Sequence, residues 1–446
     1  MKAFTIRPHS VRVHGKASFL IKQTPIVSIT PHRGSKGGCM RTISRSMRSW
    51  SFYTLLVALA IVLPFQNTWS AGVTTLSGLE ETTASLNDPR TTSLRQWLKG
   101  VVEKAEVPGA SLLIAQRGRV VFREAYGLGD VQANKPLTEK TVVLIASAIK
   151  PISATGIMSL VEEGRISLDD KVSKYLPAFD RLKPAKPGGR TESPTIRQLL
   201  CHISGLYGLV GASKTGMRAV RDFSLSLSES VDLIAQEELA ADPGVKFNYG
   251  GANFQVAARI AELVSQKPFD QYLNERLFSP LKMGQSFFKP GSSQDVGDFA
   301  MPYNYDKDKG LVPIPIYAPD PNRRLILASG GLYSTLNDLS VFLQMHLNGG
   351  SYGPKKILSK ASVEQMQERQ TGAAQAPYGL GWFIGRTDAG GRSVSVNHSG
   401  LFGALVWIDM DRDLIGVFLT SSLWPGRQQL HQELQKKILE LFPAGS

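Results

Sequence analysis

Strand patterns lie near both ends of this chain, and helical patterns lie between them. Residues 110–116 and 119–126 are apolar runs on either side of Arg117-Gly118, which predicts a hairpin. Three later runs predict a meander of strands: 394–398, 404–409 and 414–420. This order is the strongest constraint on the fold, because it favours one antiparallel sheet that is completed by both chain ends.

Helical periodicity dominates the middle of the chain. The clearest case is 252–266, where apolar residues recur at the spacing of one helix face. A second helix is predicted at 148–163, where Gly164 closes it, and a last one at 428–442. We therefore predict an α/β protein of the α+β type, with an antiparallel sheet flanked by helices and an inserted, mostly helical domain.

The predicted domain organisation has three parts. Residues 1–71 form a basic leader, residues 72–91 form a flexible Ser/Thr-rich linker, and residues 92–440 form the folded module. Within that module the sheet domain is expected at about 92–150 and 300–440, and the helical domain at about 151–299.

The basic charge of the chain is concentrated in its leader. The formal net charge is +14, but residues 1–50 hold ten of the 51 Lys and Arg side chains and no Asp or Glu. Residues 51–71 carry no charge, so the rest of the chain has 41 basic against 37 acidic side chains. A nucleic-acid surface needs basic residues gathered on one face, and we therefore predict no nucleic-acid partner.

The leader has the order of a secretory signal. Three arginines precede a 14-residue apolar run at 52–65 and a small-residue exit that ends at Ala71. The run is shorter than the roughly 20 residues that span a bilayer as a helix. We expect an exported protein, periplasmic or secreted. Membrane anchoring through residues 52–65 is the alternative if the leader is not cleaved.

Cysteine and histidine usage argues against a metal site. There are two cysteines, Cys39 and Cys201, and only Cys201 lies beyond the leader. Thiolate zinc ligation and an intramolecular disulfide are therefore excluded from the mature part. The four histidines beyond the leader are far apart, without a His-x-x-x-His pair. We predict no metal and no organic cofactor. The sequence does not indicate the oligomeric state.

Ser147-Ala-Ile-Lys150 is the first candidate catalytic motif. Residues i and i+3 share a helix face, so the amine can reach the hydroxyl and take its proton if the pKa of the lysine is lowered. One such match is weak, since Ser279-Pro-Leu-Lys282 is another and a capping Ser with a surface Lys is the ordinary explanation. Ser147 is favoured because it opens an apolar helix directly after an apolar stretch.

Two further segments carry candidate residues. Tyr249 lies in Phe247-Asn-Tyr-Gly-Gly251, just before the helix at 252, and is either a buried anchor or an acid–base phenol. His398 lies in Val396-Asn-His-Ser-Gly400, at the end of a predicted strand. A histidine there is structural or functional, and the glycine after it permits close approach of a ligand.

The order and spacing of these motifs resemble the penicillin-recognising serine hydrolases, whose branch includes class C β-lactamases, D-alanyl-D-alanine carboxypeptidases and related esterases. Segments between the motifs are also similar to that family, over about residues 92–440. They include Leu160–Asp170, Thr195–Leu206, Gly330–Thr335 with Asp338, and Tyr378–Trp382.

The resemblance implies a role for each motif residue. Ser147 would attack a carbonyl and become acylated, and Lys150 would accept and relay its proton. Tyr249 would exchange a proton with the leaving group. His398 would lend a polar or positive contact to the proton network and to a substrate carboxylate. The backbone N–H groups of Ser147 and Leu401 would form the oxyanion hole.

The substrate-binding positions implied by the resemblance are Gly251, Ser399 and Gly400. Many members have Asn where this chain has Gly251, and that Asn holds the amide of the acyl group. We therefore expect an exported serine acyl hydrolase that acts on esters or small amides, with esterase activity favoured. The alternatives are a D-alanyl-D-alanine carboxypeptidase or weak β-lactamase, and a pseudoenzyme that binds cell-wall peptides without turnover. The expected partner is a small ester, peptide or β-lactam.

Overall fold

The computed structural model describes residues 78–81, 88–104, 106–189, 192–209, 211–291 and 298–444. The leader predicted at 1–71 lies outside the described residues, as does most of the linker predicted at 72–91. Within the described ranges, no helix is long and apolar enough to cross a membrane. The described residues all belong to one compact unit.

Helices occupy most of the middle of the chain and also its C-terminal end. In chain order they are α1 (Pro89–Glu103), α2 (Lys150–Glu162), α3 (Ile196–Leu200), α4 (Lys214–Ala219), α5 (Leu227–Ala235), α6 (Ala252–Ser265), α7 (Phe269–Leu273), α8 (Leu336–Leu347), α9 (Lys360–Gln367) and α10 (Arg427–Leu441). Short 3-10 turns connect several of them, and one such turn, Ala146–Ile149, leads directly into α2.

Strands lie on both sides of that helical region. They are β1 (Glu80–Glu81), β2 (Gly109–Gln116), β3 (Arg119–Asp130), β4 (Lys135–Pro136), β5 (Val143–Leu144), β6 (Tyr303–Asp306), β7 (Gly310–Pro313), β8 (Tyr333–Ser334), β9 (Ser351–Tyr352), β10 (Lys355–Lys356), β11 (Phe383–Ile384), β12 (Ser395–Ser399), β13 (Leu405–Asp409), β14 (Leu414–Thr420) and β15 (Ser422–Leu423).

The main sheet joins the two ends of the chain. Its strand order is β1-β3-β2-β14-β13-β12-β11, with β4 paired to β3. The junction is the antiparallel pair β14 and β2, in which Leu414 lies opposite Gln116 and Thr420 lies opposite Ala110. The predicted sheet, completed by both chain ends, is confirmed, as are the hairpin and the C-terminal meander.

Both faces of this sheet are buried against helices. Leu112 and Ile114 of β2 pack in a cluster with Leu94 of α1 and Leu434 of α10. The alternate residues of β2, among them Leu113, belong to the larger core that includes α2 and α8. Since successive side chains of a strand point to opposite faces, a continuous apolar run lets β2 serve both cores.

The predicted linker at 72–91 is too long at its C-terminal end. Helix α1 begins at Pro89, because the Asp88 side chain accepts from the backbone N–H of Arg90 and caps the helix. Glu80–Glu81 also pairs in parallel with Arg119–Val120 of β3. The predicted division into sheet and helical domains stays a prediction.

Candidate active site

Ser147 lies in the tight turn between β5 and α2. Ala146, immediately before it, has a φ of 47°, a left-handed conformation that is strained for a residue with a Cβ atom. The 3-10 turn Ala146–Ile149 follows. Within 141–150, Ser147 alone is half-exposed, and its neighbours are buried. The turn therefore presents one hydroxyl at the surface of an apolar core.

Lys150 is the first residue of α2 and is 1% exposed. Its Nζ atom donates to Ser147 Oγ at 2.9 Å and to the carbonyl oxygen of Ser329 at 2.8 Å. Burial lowers the pKa of Lys150 to about 7, because a charged amine is poorly solvated in an apolar site. A lysine with such a pKa is largely neutral slightly above pH 7 and can take a proton from the adjacent hydroxyl.

Tyr249 lies in the loop before α6, and its carbonyl oxygen accepts from the backbone N–H of Leu209 at 2.9 Å. Lys150 Nζ lies 4.7 Å from the centre of the Tyr249 ring. Burial raises the pKa of Tyr249, and a hydrogen bond with the Ser147 side chain acts in the opposite direction. The phenol is therefore protonated at neutral pH, and it contacts both residues of the Ser-x-x-Lys motif.

His398 on β12 is fully buried. Its Nδ1 atom lies 3.0 Å from the Ser399 carbonyl oxygen and its Nε2 atom 3.2 Å from the Tyr378 hydroxyl. Because a carbonyl oxygen only accepts, Nδ1 carries the hydrogen and Nε2 accepts from Tyr378. Burial, and then the charge of Lys150, lower the pKa of His398. A positive contact to a substrate carboxylate does not fit this neutral ring, whose centre lies 6.0 Å from that of Tyr249.

Gly400 brings the end of β12 against the nucleophile turn. A Cβ atom at this position would lie 2.2 Å from the carbonyl oxygen of Ile145, so only glycine permits the approach. The adjacent residues are therefore held beside the turn, with Ser399 half-buried and Leu401 40% exposed. The oxyanion hole from the N–H groups of Ser147 and Leu401 stays a prediction.

Gly251 is the N-cap residue of α6, two residues after Tyr249. Its φ of −74° is one that any residue adopts. A Cβ atom there would lie 2.9 Å from the hydroxyl oxygen of Ser329. The predicted substrate-binding position Gly251 thus faces a side chain from a distant segment.

The second Ser-x-x-Lys match has a different environment. Ser279 and Lys282 are both exposed, and Ser279 Oγ donates to Asn274 Oδ1 at 3.3 Å. Lys282 has a φ of 58° and lies outside any helix. The buried amine and tight turn that surround Ser147 are missing here. Among the described residues, no group of three or more His, Cys, Asp or Glu side chains could hold a metal ion.

Three residues of the site carried no role in the sequence-based interpretation. They are Ser329, Tyr378, and His202, whose buried ring lies 4.6 Å from that of Tyr249 and finds no hydrogen-bond partner in the described chain. Tyr378 and His202 belong to segments that resemble the family. The contacts of all three residues join segments distant along the chain, which sequence spacing cannot indicate.

The fold and the site define the class of protein. An antiparallel sheet flanked by helices, with a buried Ser-x-x-Lys pair at the start of α2, is the architecture of the β-lactamase/transpeptidase-like serine hydrolases. The beta-lactamase family model matches residues 94–439. The chain therefore belongs to the beta-lactamase family, which confirms the resemblance predicted over residues 92–440.

The chain is also similar to individual curated proteins. The chain is 29% identical over 286 residues to Protein flp of Staphylococcus aureus (strain MW2), a match that covers 63% of this chain and 53% of that protein. The chain thus spans about half the length of such curated relatives.

Two solved structures are similar over most of the folded module. EstCE1, a hydrolase with promiscuous acyltransferase activity, matches at a TM-score of 0.70 and 23% identity, covering 78% of this chain and 98% of that one. The octameric penicillin-binding protein homologue from Pyrococcus abyssi matches at a TM-score of 0.63 and 28% identity, covering 78% and 79%. At 23% identity, the match to EstCE1 supports only the assignment of the fold.

Proposed function

We propose that this protein is an exported serine acyl hydrolase that cleaves esters through a covalent acyl-enzyme on Ser147. The observation that carries the proposal is the 2.9 Å contact between Ser147 Oγ and the buried amine of Lys150. A serine hydroxyl becomes a competent nucleophile when a neighbouring base can take its proton. Burial supplies that base by lowering the pKa of Lys150 to about 7.

The first half-reaction transfers the acyl group to the enzyme. Ser147 Oγ attacks the ester carbonyl carbon while its proton passes to Lys150 Nζ. The backbone N–H groups of Ser147 and Leu401 stabilise the oxyanion that forms. The bond to the leaving oxygen then breaks, and Tyr249 gives its phenolic proton to that oxygen and is reprotonated from Lys150.

The second half-reaction reverses these proton transfers. Water attacks the acyl carbonyl carbon, and the proton that it loses passes through Tyr249 to Lys150. The acyl–Oγ bond breaks, and Ser147 recovers its proton from the amine. His398 acts as a positioning residue, because its neutral ring packs behind Tyr249 and is held by Tyr378 and the Ser399 carbonyl oxygen.

Two features of the site favour esters over peptides. Gly251 has no side chain to hold an acyl amide. Two exposed apolar side chains also lie on segments that adjoin the site. Leu209 is 63% exposed, and its backbone N–H donates to the Tyr249 carbonyl oxygen. Leu401 is 40% exposed. An apolar acyl chain would cover these side chains, whereas a charged peptide terminus would gain nothing from them.

A carboxypeptidase or weak β-lactamase is the second candidate. The structural similarity to the penicillin-binding protein homologue favours it. The neutral, fully buried His398 ring argues against it, because that ring offers no charge to a substrate carboxylate.

The substrate class is tested by comparing initial rates on para-nitrophenyl butanoate, a D-alanyl-D-alanine peptide and a chromogenic cephalosporin, with the same preparation of full-length protein. We expect kcat/KM for the ester to exceed the other two values by orders of magnitude. Faster turnover of the peptide or the cephalosporin would contradict the ester assignment and favour the second candidate. N-terminal sequencing of the same protein tests whether the leader is cleaved. A start near residue 72 fits a cleaved leader, and an intact Met1 contradicts it.

The activity should rise with pH. Lys150 must be neutral to accept the Ser147 proton, and the neutral form predominates above its pKa of about 7. Below that value kcat/KM should fall by about tenfold per pH unit, and above it the profile should level off. The measurement is kcat/KM for para-nitrophenyl butanoate from pH 5 to 9, extrapolated to zero buffer. A profile that falls as pH rises through 7 would show that the protonated amine is the active form.

A further inference from the structure

The segment Ile326–Gly331 lies against the active site and is held there from two helices. On the α2 side, Ser153 Oγ donates to the Ala328 carbonyl oxygen at 2.8 Å, and Lys150 Nζ donates to the Ser329 carbonyl oxygen at 2.8 Å. On the α6 side, Gln255 Nε2 donates to the Ile326 carbonyl oxygen at 3.3 Å. Side chains on a segment fixed in this way are pre-organised.

This segment also folds tightly on itself beside the nucleophile turn. The backbone N–H groups of Gly330 and Gly331 both donate to the Leu327 carbonyl oxygen, at 2.9 and 2.7 Å. A Cβ atom at Gly330 would lie 3.8 Å from the carbonyl carbon of Ala146, the residue before Ser147. Ser329 is therefore presented between the nucleophile turn and the start of α6.

Ser329 has two polar groups with different surroundings. Its carbonyl oxygen accepts from the catalytic amine. Its hydroxyl lies 2.9 Å from the place of a Cβ atom at Gly251, and it has no hydrogen-bond partner within the described parts of the chain. Ser329 as a whole is only 6% exposed. The hydroxyl oxygen itself retains access to solvent, so a ligand or a water molecule can complete its hydrogen bonds.

The missing side chain at Gly251 leaves this hydroxyl accessible. Any larger residue at 251 would project its Cβ atom onto Ser329 Oγ. Gly251 and the Ser329 hydroxyl thus lie side by side, with Val220 Cγ1 3.4 Å from the place of a Cβ atom at Gly251. Tyr249 precedes Gly251 by two residues, and the Ser329 carbonyl oxygen binds Lys150.

We propose that the Ser329 hydroxyl is a specificity-determining group that donates a hydrogen bond to an acceptor oxygen on the acyl group, next to the scissile carbonyl. The inference rests on the proposed function and deepens it, because it names the acyl class. Esters of acids with an ether, hydroxyl or keto oxygen beside the carbonyl are preferred over plain alkyl esters of the same length.

The test compares para-nitrophenyl methoxyacetate with para-nitrophenyl butanoate, two esters whose acyl groups differ by an oxygen in place of a methylene. In Ser329→Ala the carbonyl oxygen that holds Lys150 remains, and only the hydroxyl is lost. We expect the ratio of the two kcat/KM values, methoxyacetate over butanoate, to fall by about two- to tenfold relative to wild type, the worth of one hydrogen bond. The ratio is independent of the fraction of folded enzyme, so partial misfolding cannot produce this result.

A double-mutant cycle with Gly251→Ala tests the contact between positions 251 and 329. The added methyl group meets Ser329 Oγ in the wild-type background, and in the Ser329→Ala background its nearest contact with residue 329 is the Cβ atom at 3.6 Å. The effects of the two substitutions on the ratio should therefore not add. An unchanged ratio in Ser329→Ala, or strictly additive effects, would overturn the inference.

Failure of the inference and failure of the proposed function give different results. If Ser147→Ala hydrolyses butanoate as fast as wild type, the proposed function fails and the ratio carries no information about the acyl site. If hydrolysis depends on Ser147 while the ratio is the same in wild type and Ser329→Ala, the inference alone fails.

Discussion

Replacing Ser147 with alanine should reduce kcat/KM for hydrolysis of para-nitrophenyl butanoate by at least about a thousandfold. Without Oγ no covalent acyl-enzyme can form, and the amine of Lys150 has no hydroxyl from which to accept a proton. The measurement is kcat/KM of purified wild type and variant. Intact-protein mass spectrometry checks in parallel for an acyl adduct.

Ser279→Ala is the matched control for this substitution. Ser279 begins the other Ser-x-x-Lys match, but it is exposed and its hydroxyl binds Asn274. Its replacement should leave kcat/KM near the wild-type value. Loss of activity in Ser279→Ala with retention in Ser147→Ala would show that the nucleophile has been assigned to the wrong motif.

Replacing Lys150 with alanine should lower kcat by about a hundred- to ten-thousandfold, the usual worth of a general base. Lys150→Arg should be similarly impaired, because a guanidinium keeps the positive charge but does not lose a proton at neutral pH. This pair of variants separates a proton acceptor from a fixed charge. Steady-state kinetics with para-nitrophenyl butanoate, supported by thermal unfolding curves, provides the measurement.

Lys282→Ala is the exposed control for the Lys150 variants, and we expect it to retain wild-type kinetics.

Tyr249→Phe, like Lys150→Ala, should lose activity by orders of magnitude. Its combination with Lys150→Ala should cost less than the two separate losses together, because residues that act as one unit are not additive. Substantial activity in Lys150→Arg would contradict the role of the neutral amine.

Much of the fold could be predicted from local patterns. The apolar runs of β2 and the C-terminal strands are typical of strands, and 252–266 has helical periodicity, so the bounds of these elements were predicted to within one residue. The start of β3 was also predicted, but the strand extends four residues beyond the predicted end, to Asp130. The start of α1 was missed because it depends on the cap formed by Asp88 before Pro89, where no apolar periodicity exists. Pairing of Glu80–Glu81 with β3 was missed because it is a tertiary contact.

In the candidate site, too, contacts between residues close in sequence could be predicted and contacts between distant segments could not. Ser147 and Lys150 are three residues apart on one turn, and their contact is a consequence of helical geometry. The neutral state of His398 could not be predicted, because it follows from burial by segments distant along the chain and from the charge of Lys150. Its hydrogen bond with Tyr378 likewise joins residues 20 positions apart. The contact of Lys150 with the Ser329 carbonyl oxygen joins residues 179 positions apart.

The sequence alone determined the class of secondary structure along the chain and the Ser-x-x-Lys pair, because each is encoded by residues within a few positions of one another. It also determined the family resemblance, because the order and spacing of short motifs can be read along the chain. Only the tertiary structure decided which Ser-x-x-Lys match is buried, that His398 is neutral and enclosed, and that Ser329 faces Gly251. Burial and the pKa values that follow from it depend on which distant segments exclude water from a side chain, and spacing along the chain carries no record of that packing.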